Sequence, residues 1–260
     1  MARTGGELIY AVGDVHGRYD LLKQLLFHIR ADWRTQSDSR PAAKPPVLVF
    51  CGDYIDRGPQ SAEVVEAIQR LTTHLDWKVQ PLRGNHEQAL LDFIADPKEG
   101  WAWLEYGGRE TLTSYGVAYE EKPRRTRQFY VQLRDEFLRR LPASHLRFLE
   151  GLPLHHVAGD YLFVHAGVRP GVPFEEQTPE DLLWIRDEFR GQPFSFDRIV
   201  IHGHTWTGPH PEIYQHRIGL DTGAYETGVL TAARISDGGL SILKAEAPQR
   251  PADIRRYYRN

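Results

Sequence analysis

The sequence predicts an α/β fold, a mostly parallel sheet flanked by helices, with a ligand site beyond the carboxyl ends of the strands. Three observations carry the prediction. A short apolar run, a polar glycine-containing loop and a helical pattern succeed one another three times between Leu8 and Ile94. Each of these runs, and two later ones, ends in residues of metal-ligand type. The sharpest case is Val47-Leu48-Val49-Phe50-Cys51-Gly52-Asp53-Tyr54-Ile55-Asp56-Arg57-Gly58-Pro59. It reads as a strand buried on both faces, closed by two carboxylates, an arginine and a Gly-Pro turn. A buried lone charge is strongly unfavourable, so these acids either pair with each other and Arg57 or hold a ligand.

Taken in order, residues 8–12 form the first run and end in Gly13-Asp14-Val15-His16-Gly17-Arg18. Tyr19, Leu22, Leu25, Leu26 and Ile29 then repeat with helical spacing, with Asp20 in the first turn where it suits the helix dipole. Residues 34–46 are rich in Ser, Pro, Arg and Lys and read as a surface loop. After the second strand, Ser61 and Glu63 introduce a helix with Val64, Val65, Ile68 and Leu71 as its apolar face. Residues 78–82 are a weaker strand ending in Arg83-Gly84-Asn85-His86-Glu87, and a helix follows (Ala89, Leu90, Phe93, Ile94). Residues 98–150 break this rhythm. They are helical in pattern and aromatic, with a loop signal at Tyr106-Gly107-Gly108-Arg109-Glu110-Thr111, and read either as a mostly helical insertion or as a helical layer of the core. Residues 154–157 and 161–164 form a hairpin around Gly159-Asp160, and the second of them ends in His165-Ala166-Gly167. Residues 198–201 form a strand ending in His202-Gly203-His204-Thr205. Segments 217–221, 228–235 and 240–244 read as antiparallel strands joined by glycine-rich turns. The tail 248–260 is expected to be mobile.

At 260 residues, 41% apolar and 26% charged, the chain fits a single domain spanning 1–260. A net charge of −3 supplies no global basic field, so no nucleic-acid partner is expected. No apolar run reaches the length of a membrane span. Residues 1–6 lack the apolar core of a signal peptide. The single cysteine excludes an internal disulfide and a cysteine-rich zinc site. The expectation is a cytoplasmic enzyme with no membrane partner; oligomeric state stays open.

Asp14, His16, Asp53, Asn85, His165 and His204 lie in glycine-flanked loops after five separate runs. Any one of them alone is better read as a turn former or a satisfied polar residue; together they point to metal. Carboxylate, amide oxygen and imidazole suit Mn, Fe or Zn. Six ligands suit two ions, and Asp53, with two oxygens on a strand expected to be central, is the natural bridge. Such a pair activates water and clamps an in-line displacement, which implies phosphoester hydrolysis. His86 is placed to act as general acid, with Asp56 orienting it. Arg57 and Arg186 can grip phosphate as planar forks. Arg57 can equally pair with Asp56, and Arg186 can equally be an exposed helix residue beside Asp187.

In this order Gly13-Asp14-Val15-His16-Gly17, Gly52-Asp53-Tyr54-Ile55-Asp56-Arg57-Gly58, Gly84-Asn85-His86-Glu87, His165-Ala166-Gly167 and Gly203-His204-Thr205 resemble the motif set of the phosphoprotein phosphatase family within the calcineurin-like metallophosphoesterases, nearest to its compact bacterial and phage members. The resemblance spans residues 13 to about 223. It implies an α/β/β/α sandwich, two divalent metal ions, commonly Mn, and a serine/threonine protein phosphatase acting on a phosphoprotein or phosphopeptide. It implies that Asp14, His16 and Asp53 bind the first ion, and that Asp53, Asn85, His165 and His204 bind the second. It further implies that His86 and Asp56 form the acid pair and that Arg57 binds phosphate. Trp184-Ile185-Arg186 is similar to the family's second phosphate-binding arginine motif. The wider superfamily's Gly-His-x-His is not met, since Trp206 stands at its last position; the protein phosphatase branch uses one histidine there.

Three rivals stand beside this reading. Cys51 and Arg57 match a Cys-x5-Arg phosphatase loop, but Asp53 and Asp56 inside it would repel a phosphate dianion and raise the thiol pKa. A symmetrical diadenosine tetraphosphate hydrolase shares the first and third motifs. A catalytically inactive metal-dependent binding module is opposed by the intact His86, Asp56 and Arg57.

Overall fold

The computed structural model describes residues 2–38, 45–73, 76–98, 100–119, 126–191 and 196–248. Among the described residues, ten strands fall into two five-stranded sheets. The first comprises β1 (Ile9–Val12), β2 (Val47–Phe50), β3 (Lys78–Pro81), β9 (Val229–Ser236) and β10 (Gly239–Glu246), in the order β10-β9-β1-β2-β3. The second comprises β4 (His155–Ala158), β5 (Tyr161–Val164), β6 (Ile199–His202), β7 (Glu212–Ile213) and β8 (Arg217–Gly219), in the order β4-β5-β6-β8-β7.

The helices follow the chain as α1 (Tyr19–Asp38), α2 (Ser61–Thr72), α3 (Asn85–Ala95), α4 (Trp101–Trp103), α5 (Arg109–Ser114), α6 (Arg127–Arg140), α7 (Ala143–Glu150), α8 (Pro179–Trp184), α9 (Asp187–Arg190) and α10 (Ala224–Thr227). A π-helical turn, Leu104–Gly108, joins α4 to α5.

Strand alternation builds the layers. Ile9, Ala11, Val47, Val49, Ala233 and Ile235 point inward from the first sheet and meet Tyr161, Phe163, Ile201 and Ile218 of the second. Tyr10, Val12, Leu48 and Phe50 point the other way, into a core closed by Leu22 and Leu25 of α1, Val64 and Ile68 of α2, and Phe93 of α3. On the far side of the second sheet, Leu162, Val164 and Val200 pack against Leu182 of α8 and Phe189 of α9. The order of layers is α/β/β/α, the sandwich that the family resemblance implies.

A single mostly parallel sheet is therefore not what forms. β1 pairs in parallel with β2, and β2 with β3, but β9 runs antiparallel to β1, with Ile9 opposite Ile235 and Ala11 opposite Ala233. In the second sheet β5-β6 and β6-β8 are parallel, while β4-β5 and β7-β8 are antiparallel. The segment 217–221 was expected beside the final hairpin; its strand β8 belongs to the other sheet, where β6 claims it. The middle strand of the first sheet is β1, with β2 beside it. β3 lies at the edge, where Pro81 leaves no central ladder short of a donor.

Segment 98–150 supplies Trp103, Leu104, Leu112, Leu133, Phe137 and Leu149 to the same core as α1 and α2. Through those side chains it packs against the helical layer formed by α1 and α2. Among the described residues no helix is long and apolar enough to cross a membrane. The expectation of a mobile tail concerns residues that, from 249 onward, lie outside the described set.

Candidate metal and phosphate site

Five strand ends converge on one rim. Asp14 and His16 follow β1, Asp53 follows β2, and Asn85 and His86 open α3 just after β3. His165 follows β5, and His204 lies two residues beyond the end of β6. The loops are tied to each other by main chain: the Asp53 carbonyl accepts the N–H groups of Val15 at 3.0 Å and His16 at 2.9 Å, and Gly203 N–H donates to the His165 carbonyl at 2.8 Å. The two sheets are joined at the site itself, because the His204 N–H donates to Asp14 Oδ2 at 2.9 Å. All six sequence-predicted ligands are buried.

Asp53 is the hub. Its Oδ2 lies 3.5 Å from His16 Nε2 and 3.9 Å from His86 Nε2, and its Oδ1 lies 3.4 Å from His165 Nε2. Asn85 Oδ1 stands 2.8 Å from His165 Nε2 and 2.9 Å from His204 Nδ1. Among the described residues, imidazole and carboxylate atoms gather in two groups of metal-binding size, His16 with Asp53 and His86, and Asp53 with His165 and His204; Asp14 falls in neither.

The chemistry of these donors fits divalent cations. His16 Nδ1 donates to the Ile55 carbonyl at 2.9 Å, and His165 Nδ1 donates to the Cys51 carbonyl at 2.8 Å. Each ring therefore turns an unprotonated Nε2 toward one oxygen of Asp53. Lone pairs face lone pairs, an arrangement that a cation between them relieves, and a backbone carbonyl on the other nitrogen is the usual way to orient a metal-binding imidazole. Asp14 Oδ1 is buried without a hydrogen-bond partner.

The electrostatics agree. Burial, then the charges of Asp221 and Asp53, lift the Asp14 carboxyl well above its ordinary range. Burial, then His86, holds His16 well below its own, and burial and His165 bring His204 down to about 2. Burial also lowers the His165 pKa, so for His16, His165 and His204 burial favours the neutral ring, the form that ligates a cation.

The structure brings His86 and Asp56 into contact. His86 Nδ1 lies 2.6 Å from Asp56 Oδ2, and Arg57 directs a guanidinium nitrogen to His86 Nε2 at 3.2 Å. Burial disfavours the imidazolium, but Asp53 and the hydrogen-bonded Asp56 outweigh it and raise the His86 pKa. The Asp56–Arg57 salt bridge does not occur among the described residues. Arg57 instead lays its guanidinium over the Tyr225 ring, 4.5 Å from the centroid, and Tyr225 meets His16 edge-on at 5.3 Å. Arg186, exposed and just ahead of α9, donates from Nε to His204 Nε2 at 3.1 Å, which brings it to the rim of the site.

Several residues with a part in this geometry were not assigned one from sequence. Glu87 is fully buried and accepts the N–H groups of Asp53, Tyr54 and Gly84 at 2.8–2.9 Å, which shapes the β2 loop. Asp221 lies near Asp14, accepts the Gly223 N–H at 2.9 Å, and is pushed up to about 7 by burial and by Asp53. Its signal was present, an acid after an apolar run and before Thr222-Gly223, but it was read as the end of a strand. Trp103, Thr111 and Tyr225 come from segments without a metal motif. Cys51 is buried, its thiol pushed up by burial and then by Asp14, and its contribution to the site is its carbonyl.

Beside Arg57 opens a cavity of about 450 Å³, lined by Tyr106, Glu105, Arg109, Glu110 and Tyr225 among others.

Comparison with known proteins places this site in a family. Residues 8–217 match the family model described as calcineurin-like phosphoesterase. A bis(5'-nucleosyl)-tetraphosphatase PrpE [asymmetrical] from Halalkalibacterium halodurans is 26% identical over 245 residues, covering 87% of this chain and 89% of that one. A solved structure named as a candidate diadenosine tetraphosphatase is 21% identical, covers 95% of this chain and 97% of its own, and superposes with a TM-score of 0.61. A serine/threonine phosphatase structure from Saccharomyces cerevisiae, with similarity to human phosphatase PP5, is 18% identical over 96% of this chain and 82% of its own, with a TM-score of 0.51. The two structures show likeness of fold alone. With the family model covering most of the chain and every predicted ligand, the chain belongs to the calcineurin-like phosphoesterases, metal-dependent hydrolases of phosphate esters.

Proposed function

We propose that the chain hydrolyses phosphate esters with two divalent cations, one held by Asp14, His16 and Asp53 and the other by Asp53, Asn85, His165 and His204. The observation that supports this most is the pair of imidazole Nε2 atoms turned toward the two oxygens of Asp53, each ring's Nδ1 being held by a backbone carbonyl. Bound divalent cations activate water and neutralise phosphate charge; manganese is the expected ion, and iron or zinc also suits the donors. The protein's own groups do the rest. Arg57 and Arg186 reach the ligand cluster from different elements, through His86 and His204 respectively, and hold phosphate oxygens as planar forks. His86 delivers a proton to the leaving oxygen from Nε2, while Asp56 fixes the ring through Nδ1.

For the substrate we favour a dinucleoside polyphosphate. Two features support it: relatives named as asymmetrical bis(5'-nucleosyl)-tetraphosphatases align along most of the chain, and the cavity beside Arg57 carries two tyrosines, Tyr106 and Tyr225, whose faces suit stacking on a base. The symmetrical cleavage considered from sequence is not the activity those relatives' names carry. A phosphoprotein is the second reading, supported by the Asp53-Tyr54-Ile55-Asp56-Arg57-Gly58 form of the second motif.

The test is a panel. Protein supplied with Mn²⁺ is offered diadenosine tetraphosphate and phosphoserine, phosphothreonine and phosphotyrosine peptides, and products are separated by ion-exchange chromatography. Unequal nucleotide products, formed faster than phosphate from any peptide, are expected. Equal products assign the symmetrical cleavage, faster peptide turnover assigns the phosphoprotein reading, and no turnover of any of them overturns the proposal.

A further inference from the structure

The acid pair is held by a segment that no metal motif includes. Asp56 is fully buried, and both of its carboxylate oxygens are occupied. Oδ2 accepts the indole N–H of Trp103 at 2.8 Å as well as His86 Nδ1 at 2.6 Å, and Oδ1 accepts the Thr111 hydroxyl at 2.6 Å. The same hydroxyl oxygen accepts the N–H of Asp56 at 2.9 Å, so Thr111 closes a ring between the side chain and main chain of Asp56. Trp103 is pinned in turn, its ring 5.0 Å from Phe93 and 6.4 Å from Phe137. Between Trp103 and Thr111 lies the π-helical turn, and its Gly107 carbonyl accepts the N–H of Arg57 at 3.2 Å. One short segment therefore grips the main chain of the phosphate arginine and the carboxylate that orients His86.

We propose that Trp103 and Thr111 are positioning residues for proton delivery: by fixing both oxygens of Asp56 they fix the direction in which His86 Nε2 points. Packing alone requires neither an indole N–H nor a hydroxyl here: valine has the shape of threonine without the hydroxyl, and an aromatic ring can fill most of the Trp103 site without an N–H. The inference rests on the reading of His86 as general acid, and the experiment separates the two.

An acid matters most when the leaving oxygen is basic. Phenyl phosphate and p-nitrophenyl phosphate differ mainly in that respect, so the ratio of their kcat values reports proton delivery and is insensitive to general damage. Trp103→Phe and Thr111→Val are each expected to lower kcat on phenyl phosphate by about 10- to 100-fold, part of the ~10²–10⁴ that a general acid contributes. On p-nitrophenyl phosphate the loss should stay within a few-fold, with KM and metal content unchanged for both esters. Thr111→Ser, which keeps the hydroxyl, should restore the wild-type ratio. His86→Asn is the control and should show the largest change in ratio with its metals retained.

If the Trp103 and Thr111 variants lose activity equally on both esters, or change only KM, while His86→Asn does discriminate, the positioning role is overturned and the acid assignment stands. If His86→Asn does not discriminate either, the acid assignment itself falls. Should the valine variant fail to fold, the Trp103→Phe and Thr111→Ser ratios carry the decision.

Discussion

At the scale of single residues, the site marks itself by backbone strain. Among the described residues the non-glycine positions with left-handed φ are His16, Asp53, Asp56, Arg57 and His204, at 44°, 53°, 72°, 67° and 67°. Each such conformation costs on the order of 1–3 kcal/mol and persists only where its surroundings enforce it. Two glycines do part of the enforcing by letting backbone approach the ligands. A Cβ on Gly203 would lie 1.9 Å from Asp14 Oδ1, and one on Gly84 would lie 2.1 Å from Asp53 Oδ1. The two substitutions therefore have different consequences. Gly203→Ala displaces a ligand of one proposed ion and is expected to leave about one ion per chain, whereas Gly84→Ala displaces the shared ligand and is expected to lose both. Metal content after dialysis, measured by plasma emission, checks this; equal losses in the two variants would contradict the assignment of Asp53 as the bridge.

At the scale of elements, capping decides where Arg186 stands. Thr178 and Asp181 form a capping box at the start of α8: the Thr178 N–H donates to Asp181 Oδ2 at 3.0 Å, and the Asp181 N–H donates to Thr178 Oγ1 at 3.2 Å. Arg169 Nε adds a bond to Asp181 Oδ1 at 2.7 Å. Burial would raise the Asp181 pKa, but the Thr178 bonds and Arg169 outweigh it and lower it. A carboxylate depressed in the folded state contributes stability that is present above its unfolded value, about 4, and is lost as pH falls through the folded value. Asp181→Asn is therefore expected to cost roughly 1–2 kcal/mol at pH 7, with the gap from wild type narrowing below about pH 4. Urea titrations at pH 7 and pH 3 give both numbers. The wild-type segments that form the rim were legible in the sequence because metal ligands at the ends of apolar runs survive any rearrangement of the strands around them. Trp103 and Thr111 were not legible, since an indole N–H and a hydroxyl in a helical stretch have no pattern until the fold brings Asp56 to them. β7, two residues long, lacks the length to show a period at all.

At the scale of the whole molecule, the metal site is as well positioned as the two sheets are aligned. Asp14, His16, Asp53 and Asn85 come from the first sheet and its loops, His165 and His204 from the second. The layer between them is the cluster around Val49, Phe163 and Ile201. Phe163→Ala is expected to cost about 3–5 kcal/mol and, because His165 lies two residues further on, to weaken binding of the ion shared across the sheets more than the other. Urea unfolding and a stepwise Mn²⁺ titration measure the two effects separately. The partnering of the strands was the least legible part of the fold: apolar alternation says which side of a strand is buried but not which neighbour it finds, so β8 and β9 look alike in sequence and end in different sheets.

The register of β1 has a further consequence, which lies in the time before the fold exists. Val12 pairs with Ala232, roughly 220 residues later in the chain. A ribosome adding about 5–20 residues per second takes roughly 10–40 s to cover that span. Throughout it the edge of β1 that β9 will cover is open to any passing strand. The acidic and histidine ligands after β1 and β2 already exist in that interval, and the two histidines of the second sheet emerge late in it. The nascent chain is thus at its most adhesive while its metal site is half made, and its last hairpin, which carries no ligand, is what ends the exposure.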